Sequence, residues 1–189
     1  MGHEVKRRCG WCGDDPLYMD YHDNEWGKPI TDENKLFELL ILEGAQAGLS
    51  WITVLRKREA YRKAFDGFDP QKIALYGDKD IERLLANKGI IRNKGKISSA
   101  ITNARLFLEI QKEFGSFRKY ILGFFPEGKT QVNNPVTLAD VPAKTDISDA
   151  ISADMKRRGF KFFGSTICYA FLQSAGFVNN HITSCDFRH

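Results

Sequence analysis

The sequence predicts an all-α protein, and three observations support this fold class. Several segments place apolar residues at i, i+3, i+4 and i+7, the spacing of an amphipathic helix. Most of them begin at residues that cap helices and stop near a glycine. No series of segments alternates apolar and polar residues as strands do. We therefore expect one domain over 1–189, with a helical core at about 31–125 and terminal segments 9–27 and 146–189 that pack together.

The predicted helices follow one another with short connections, and a capping side chain or an Asp-Pro pair marks most of their starts. The first runs from 33 through the apolar run that ends at Leu42, the second covers about 51–65, and a short third helix begins at 70. The fourth begins at 78 or 80 and stops at 89, and the others cover about 96–114, 116–125, 146–158 and 165–176. Residues 9–27 fit neither a helix nor a strand pattern. The prolines and glycine of 126–145 indicate a connecting loop.

Composition excludes several classes of protein. The 189 residues are 42% hydrophobic and 28% charged, as in globular proteins, and no run reaches the roughly 18 apolar residues of a membrane span. The first residues lack the apolar stretch of a signal peptide, so we expect a cytoplasmic protein without a membrane partner, and a monomer. In that reducing compartment the four cysteines are free thiols or metal ligands. The net charge of +4 permits a nucleic-acid partner without requiring one.

The segment 42–51 holds the most informative carboxylate. Glu43 shares a helix face with Leu36 and Leu40, so it points where the apolar residues point. A carboxylate aimed at a core is costly unless it meets a partner or lines a cavity. The alternative is a helix that ends at Gly44, with Glu43 turned out to water. Spacing alone does not decide between the two.

Cysteine and histidine residues near both ends of the chain suit a metal ion. His181 and Cys185 have the i, i+4 spacing that puts two ligands on one helix face, and Cys9 and His22 lie in the irregular N-terminal segment. Together they offer the four ligands of a closed, structural Zn²⁺ site. Cys12 competes with His22 as a ligand, because Cys9 and Cys12 also have the spacing of a zinc knuckle.

The turn from Gly89 to Lys96 is a candidate DNA contact. Two helices joined by a glycine-bearing turn can direct backbone N–H groups at a phosphate. Arg92, Lys94 and Lys96 surround Gly95 with positive charge. The alternative is an ordinary helix connection with solvated cations.

Aromatic residues and Glu43 form a candidate ligand pocket. Flat rings stack on a flat cation, and a carboxylate accepts its N–H groups and favours its charge. The candidate rings are Trp11, Tyr18, Tyr21 and Trp51. The alternative for each ring is a place in the hydrophobic core. The basic and aromatic segment 157–164 is either a DNA-facing loop or packed against the core.

Long and compositionally unusual motifs give the chain a family resemblance. They are LEGAQAGLSWITVL at 42–55, YHDNEWG at 21–27, GIIRNKGK at 89–96, KRRGFKFFG at 156–164 and TICYAF at 166–171. These motifs resemble the Tag-type family, DNA-3-methyladenine glycosylase I, over nearly the whole chain from Cys9 to Cys185. The resemblance implies the all-α fold of the helix-hairpin-helix glycosylase superfamily. It also implies hydrolysis of the N-glycosidic bond of 3-methyladenine in double-stranded DNA with alkylated bases.

The resemblance assigns roles to individual residues. The structural zinc ligands of the family correspond to Cys9, His22, His181 and Cys185, without Cys12. Its base-recognising acid corresponds to Glu43. Its pocket aromatics correspond to Tyr18, Tyr21 and Trp51, with Trp11 nearby. Gln46 and Leu49 correspond to residues that fill the gap left by a flipped nucleotide. The segment 89–96 is one of the matching segments, although its glycines stand farther apart than in the usual helix-hairpin-helix turn. Gly89, Arg92, Lys94, Gly95 and Lys96 stay the candidate DNA contacts of this turn.

The expected chemistry follows from the lesion. A glycosylase extrudes the nucleotide to reach its bond, and an N3-methylated adenine is cationic and leaves readily. No Asp lies between Lys94 and Ile110, where many relatives in the superfamily carry one. We therefore expect a monofunctional enzyme without a lyase step, in which Glu43 selects the base. The alternative is a zinc-stabilised DNA-binding module without catalysis.

Overall fold

The computed structural model describes residues 6–189. The prediction that the chain starts without a signal peptide concerns residues 1–5 as well, which lie outside the described range. Within 6–189 the chain is mostly helical, which confirms the main prediction of the fold class. The helices are α1 (Pro16–Asn24), α2 (Glu33–Gln46), α3 (Trp51–Ala64), α4 (Pro70–Ile73), α5 (Asp78–Ala86), α6 (Lys94–Phe114), α7 (Phe117–Leu122), α8 (Asp146–Arg158) and α9 (Ser165–Ser174). None of these helices has both the length and the apolarity needed to cross a membrane.

Helix α2 lies at the centre of the structure. It packs against α3, α6, α7 and α9, and every residue from Leu36 to Ala45 is buried. On one side the rings of Phe37 and Phe107 meet edge to face, with centroids 5.1 Å apart. A helix surrounded in this way loses its solvent face, so its polar residues are buried with the apolar ones. Glu38 and Glu43 are therefore both buried.

Capping side chains set the helix starts that the sequence predicted. The Asp32 carboxylate accepts a hydrogen bond from the Lys35 N–H at 2.9 Å and caps α2. Helix α6 begins two residues earlier than expected, because the Asn93 side chain accepts the Lys96 N–H at 3.0 Å. The predicted helices at 51–65 and 146–158 match α3 and α8 closely.

The prediction that residues 9–27 are irregular was wrong. A short 3₁₀ turn at Gly10–Cys12 precedes α1, which begins with Pro16 in its first turn. The Asp15 carboxylate accepts the N–H groups of Leu17 and Tyr18 at 3.0 and 3.2 Å. The same Asp-Pro chemistry correctly predicted α4. Helix α1 thus presents Tyr18, Tyr21 and His22 from one short element.

Two further expectations need correction. His181 and Cys185 do not share a helix face, because residues 180–189 form turns. The chain also contains a two-stranded parallel sheet, β1 (Gln131–Val132) beside β2 (Val178–Asn179), which an all-α prediction does not include. The sheet joins the 126–145 loop to the C-terminal segment. The first and last described segments meet where the Asp186 N–H donates to the Arg7 carbonyl at 2.9 Å.

Candidate active site and metal centre

A cavity of about 200 Å³ opens beside the C-terminal end of α2. A water molecule occupies about 30 Å³ in the liquid, so the cavity can accommodate a much larger group. It is lined by Trp11, Tyr18, Tyr21, Trp26, Glu43, Gln46, Trp51, Ala170 and Gln173. The structure thus brings together Glu43 and all four rings that the sequence singled out. It adds Trp26, which lies in the 21–27 motif, and two residues of α9 that no spacing rule distinguished.

Glu43 is buried and faces this cavity. Helix α2 continues to Gln46, so it does not end at Gly44 and Glu43 does not turn out to water. Its Oε2 atom has no hydrogen-bond partner among the described residues. Burial raises the pKa of Glu43 to about 8, against a smaller opposing effect of the Ser174 hydroxyl. A cationic ligand would reverse this shift, because an opposite charge favours the carboxylate form.

The rings around Glu43 form the walls of the cavity. Trp11 meets Tyr18 and Trp26 edge to face, each at 5.0 Å between centroids, and Tyr21 lies 5.5 Å from Trp51. The indole N–H groups of Trp11 and Trp51 are buried without a partner among the described residues. Buried polar groups are normally paired, so these two N–H groups and Glu43 Oε2 could bind a ligand in the cavity.

The turn between α2 and α3 directly follows the cavity residue Gln46. Gln46 is the last residue of α2 and lines the cavity, whereas Leu49 is 42% exposed. Gly48 has a φ of +80°, which an L side chain adopts only at a cost. The Lys96 ammonium group donates to the carbonyls of Ala45 and Ala47 at 2.9 and 2.7 Å. This lysine therefore ties the first turn of α6 to the segment that carries Leu49.

The predicted hairpin residues Gly89 and Arg92 lie in the connection between α5 and α6, whereas Lys94, Gly95 and Lys96 form the first turn of α6. A Cβ atom at Gly89 would lie 2.9 Å from the Cβ of Ala60, so close packing on α3 accounts for this glycine. Arg92 and Lys94 are exposed and form no ion pair within residues 6–189. Gly95 is exposed beside them. Lys96 differs from its neighbours, because its ammonium group already serves two carbonyls.

Three of the predicted metal ligands meet in the interior. The ligand atoms of Cys9, His22 and Cys185 all lie within 4.8 Å of one another, and all three residues are buried, so this group could hold a metal ion. Cys12 is not part of the group, and its thiol donates to the Cys9 carbonyl at 3.2 Å. The Nδ1 atom of His22 is engaged by the Asp23 carboxylate at 2.7 Å, which leaves Nε2 directed at the cysteines.

His181 lies against the same group. Its ring centroid is 4.8 Å from that of His22, and its Nδ1 atom is 2.9 Å from the Asn179 side-chain oxygen. Its Nε2 atom is buried without a partner among the described residues. Burial and the neighbouring His22 and His189 lower the pKa of His181 to about 4, which keeps the imidazole neutral, as a metal ligand must be. The orphaned nitrogen and the thiol–imidazole donor set fit a metal ion.

Comparison with known proteins identifies the family. A family model described as methyladenine glycosylase matches residues 11–189, which is most of the chain. The chain belongs to the methyladenine glycosylase family.

Relatives within this family are similar over nearly their whole length. DNA-3-methyladenine glycosylase 1 of Escherichia coli K12 is 52% identical over 178 residues, which cover 94% of this chain and 95% of the relative. A crystal structure of 3-methyladenine DNA glycosylase I (TAG) is 51% identical, with a TM-score of 0.93 over 97% of this chain and 100% of that one. A structure that describes 3-methyladenine recognition by the TAG enzyme of Staphylococcus aureus is 35% identical, with a TM-score of 0.93 and 98% of each chain covered.

Proposed function

We propose that this member of the methyladenine glycosylase family hydrolyses the N-glycosidic bond of 3-methyladenine in alkylated double-stranded DNA. It releases the free base and leaves an abasic site, as a step of base-excision repair. The observation that carries the proposal is the unpartnered Oε2 atom of Glu43 in an aromatic cavity. A flat cationic base would supply both the stacking partner and the charge that this site lacks.

The residues of the cavity account for selection of the damaged base. Tyr18, Tyr21, Trp51 and Trp11 provide stacking surfaces, and Glu43 accepts the N–H groups of the base and favours its positive charge. An unmethylated adenine carries no such charge, so it would leave Glu43 without a counter-charge. The cationic base is a good leaving group, because it takes the electron pair of the broken bond and departs as a neutral molecule. The reaction then needs only binding of the departing base and stabilisation of the positive charge that develops on the sugar, and no lyase step. Glu43 is the catalytic residue in this sense.

The DNA contacts are assigned to two neighbouring turns. Gln46 and Leu49 at the cavity mouth would occupy the space of the extruded nucleotide. The helix-hairpin-helix turn would contact the backbone through Gly89, Arg92, Lys94, Gly95 and Lys96. Within this set Lys96 acts indirectly. Its ammonium group donates to the carbonyls of Ala45 and Ala47 and so holds the turn between α2 and α3 in place. A monomeric state and a cytoplasmic location stay predictions.

The metal assignment is a single structural Zn²⁺ held by Cys9, His22, His181 and Cys185. Two thiolates and two imidazoles suit tetrahedral zinc, and four protein ligands leave no open position for catalysis. Bound there, the ion would cross-link the N- and C-terminal segments. Asp23 and Asn179 orient the two imidazoles through their Nδ1 atoms.

Base release from methylated duplex DNA tests the function. We expect the wild-type protein to release free 3-methyladenine and to generate abasic sites. Glu43→Gln should slow release by about tenfold to a hundredfold, the value of a charge-assisted hydrogen bond, while the fold is kept. Glu59→Gln, an exposed acid on α3, is the matched control and should release at the wild-type rate. DNA binding without abasic sites would instead support the non-catalytic module, and unchanged release in Glu43→Gln would remove the role assigned to Glu43.

A further inference from the structure

An exposed aromatic ring stands out in the segment 160–163. Phe160 and Phe163 are 4% and 6% exposed and belong to the core, whereas Phe162 between them is 43% exposed. Phe162 also has a φ of +53°, a left-handed conformation that is unfavourable for a residue other than glycine. Strained residues of this kind persist only where the surrounding structure holds them, and they cluster at functional sites.

Hydrogen bonds from a buried asparagine and a half-buried serine hold the strained residue in place. The buried Asn103 amide of α6 donates to the Lys161 carbonyl at 3.0 Å and accepts the Lys161 N–H at 2.9 Å. The Ser152 hydroxyl of α8 donates to the Phe163 carbonyl at 3.0 Å. The residues on both sides of Phe162 are thus fixed to different helices. The exposed position of the Phe162 ring therefore follows from these hydrogen bonds on either side of it.

Phe162 lies between the C-terminal part of α2 and the first turn of α6. A Cβ atom built on Gly95 would be 3.7 Å from Cζ of the Phe162 ring, so the ring covers the first turn of α6. A Cβ atom built on Gly44 would be 3.3 Å from the Phe162 carbonyl, so the backbone packs against the end of α2. Phe162 therefore bridges the helix that carries Gln46 and the helix that follows the hairpin.

The charge around the ring suits a polyanion. Lys161 is exposed next to Phe162 and forms no ion pair in the part of the chain that the structure describes. Arg92 and Lys94 are exposed just before and at the start of α6. Exposed cations beside an aromatic ring are the combination by which proteins hold a nucleic-acid strand.

We propose that Phe162 and Lys161 form a third DNA contact, in which the Phe162 ring packs against the duplex beside the extruded nucleotide and Lys161 contacts a phosphate. The inference rests on the proposed function, because it takes damaged duplex DNA as the partner. The Asn103 and Ser152 hydrogen bonds make the contact rigid before DNA binds. Asn103 is accordingly a positioning residue.

Binding to a short duplex with one tetrahydrofuran abasic-site analogue tests the proposal by fluorescence anisotropy. Phe162→Ala should raise the Kd by about tenfold, the usual effect of removing a ring from a nucleic-acid contact, and Phe162→Trp should restore binding. Lys161→Gln should lower the slope of log Kd against log salt concentration by about 0.9. Phe114→Ala is the matched control, because Phe114 is 39% exposed at the opposite end of α6. Its Kd should equal that of the wild type.

Three parallel measurements separate the outcomes. Affinity for free 3-methyladenine, followed by tryptophan fluorescence, should be the same in Phe162→Ala and the wild type. A lower unfolding temperature in Phe162→Ala would show that the ring stabilises the fold. If the alanine variant does not fold, Phe162→Gly replaces it, because glycine adopts a positive φ without strain. A wild-type Kd in the folded variants overturns the proposal. If the wild type releases 3-methyladenine, an unchanged Kd in the Phe162 variants rejects only the third DNA contact. If the wild type binds the duplex but releases no base, the proposed function is rejected and the DNA contact is not.

Discussion

The ammonium group of Lys96 lies 2.7 Å from the carbonyl oxygen of Ala47. The same group bonds to the Ala45 carbonyl, so one side chain of α6 satisfies carbonyls at the C-terminal end of α2. Burial lowers the pKa of Lys96. Leu49 follows two residues after Ala47, so the position of Leu49 depends on a residue from the hairpin region.

Lys96→Met tests this dependence. The apolar stem is kept, but the two carbonyls lose their partner, at a cost of about 1–3 kcal/mol in the free energy of unfolding. Base release from duplex DNA should fall more than affinity for free 3-methyladenine, because the cavity itself does not contain Lys96. Urea unfolding and the two activity measurements check this. Lys112→Met, an exposed position on the same helix, should change none of them.

The raised pKa of Glu43 predicts a pH-dependent stability. The folded protein binds this proton up to a pKa of about 8, and the unfolded chain only up to the ordinary 4.5. The contribution of Glu43 to the free energy of unfolding is therefore fully present below about pH 4.5. It is lost as the pH rises towards 8, by up to about 1.4 kcal/mol per pH unit. Glu43→Gln does not ionise. Its unfolding free energy should exceed that of the wild type by a margin that grows from pH 5 to pH 8, and a margin independent of pH would contradict the prediction.

The metal assignment predicts that Cys185→Ala and His181→Ala both lose bound zinc. The free energy of metal binding contributes to folding in a closed site, so both variants should unfold at a lower temperature than the wild type. Metal analysis of the purified proteins checks the content, with one ion per chain expected in the wild type. Cys12→Ala removes a buried thiol outside the ligand group and should keep its zinc. Equal zinc content in His181→Ala and the wild type would leave a three-ligand group.

Leu49→Ala tests the filling of the gap in DNA. Loss of an apolar side chain of this size from an interface reduces affinity by about tenfold, so release of 3-methyladenine from duplex DNA should slow by that order. Release from single-stranded DNA should change less, because no base stack has to be opened there. Leu138→Ala removes an equally exposed leucine, 42% in both cases, from a turn at Leu138–Asp140 that does not line the cavity, and should have no effect. Equal slowing by both substitutions would point to stability and not to DNA binding.

Local chemistry predicted most helices of the fold. Asp32 as an N-cap and the Asp69-Pro70 pair act within a few residues of the chain, so their effect can be read without knowledge of the fold. Helix α1 was missed although Asp15 and Pro16 carry the same signal, because its aromatic side chains obscured the apolar period. The prediction that His181 and Cys185 share a helix face was wrong, because residues with an i, i+4 spacing can also approach one metal group from irregular chain with turns.

The sequence by itself determined the family, the helical fold, the acid of the cavity and four of its aromatic residues, whereas the structure added Trp26. Only the tertiary structure decided that the Oε2 atom of Glu43 is buried without a hydrogen-bond partner in the range 6–189, that Lys96 donates to two carbonyls, and that Phe162 stands outside the core. Periodicity specifies which face of a helix a residue occupies, since it depends on neighbours in the chain. Burial, pairing and pKa depend on what other elements place against that face, and α9 meets α2 more than a hundred residues further along the chain.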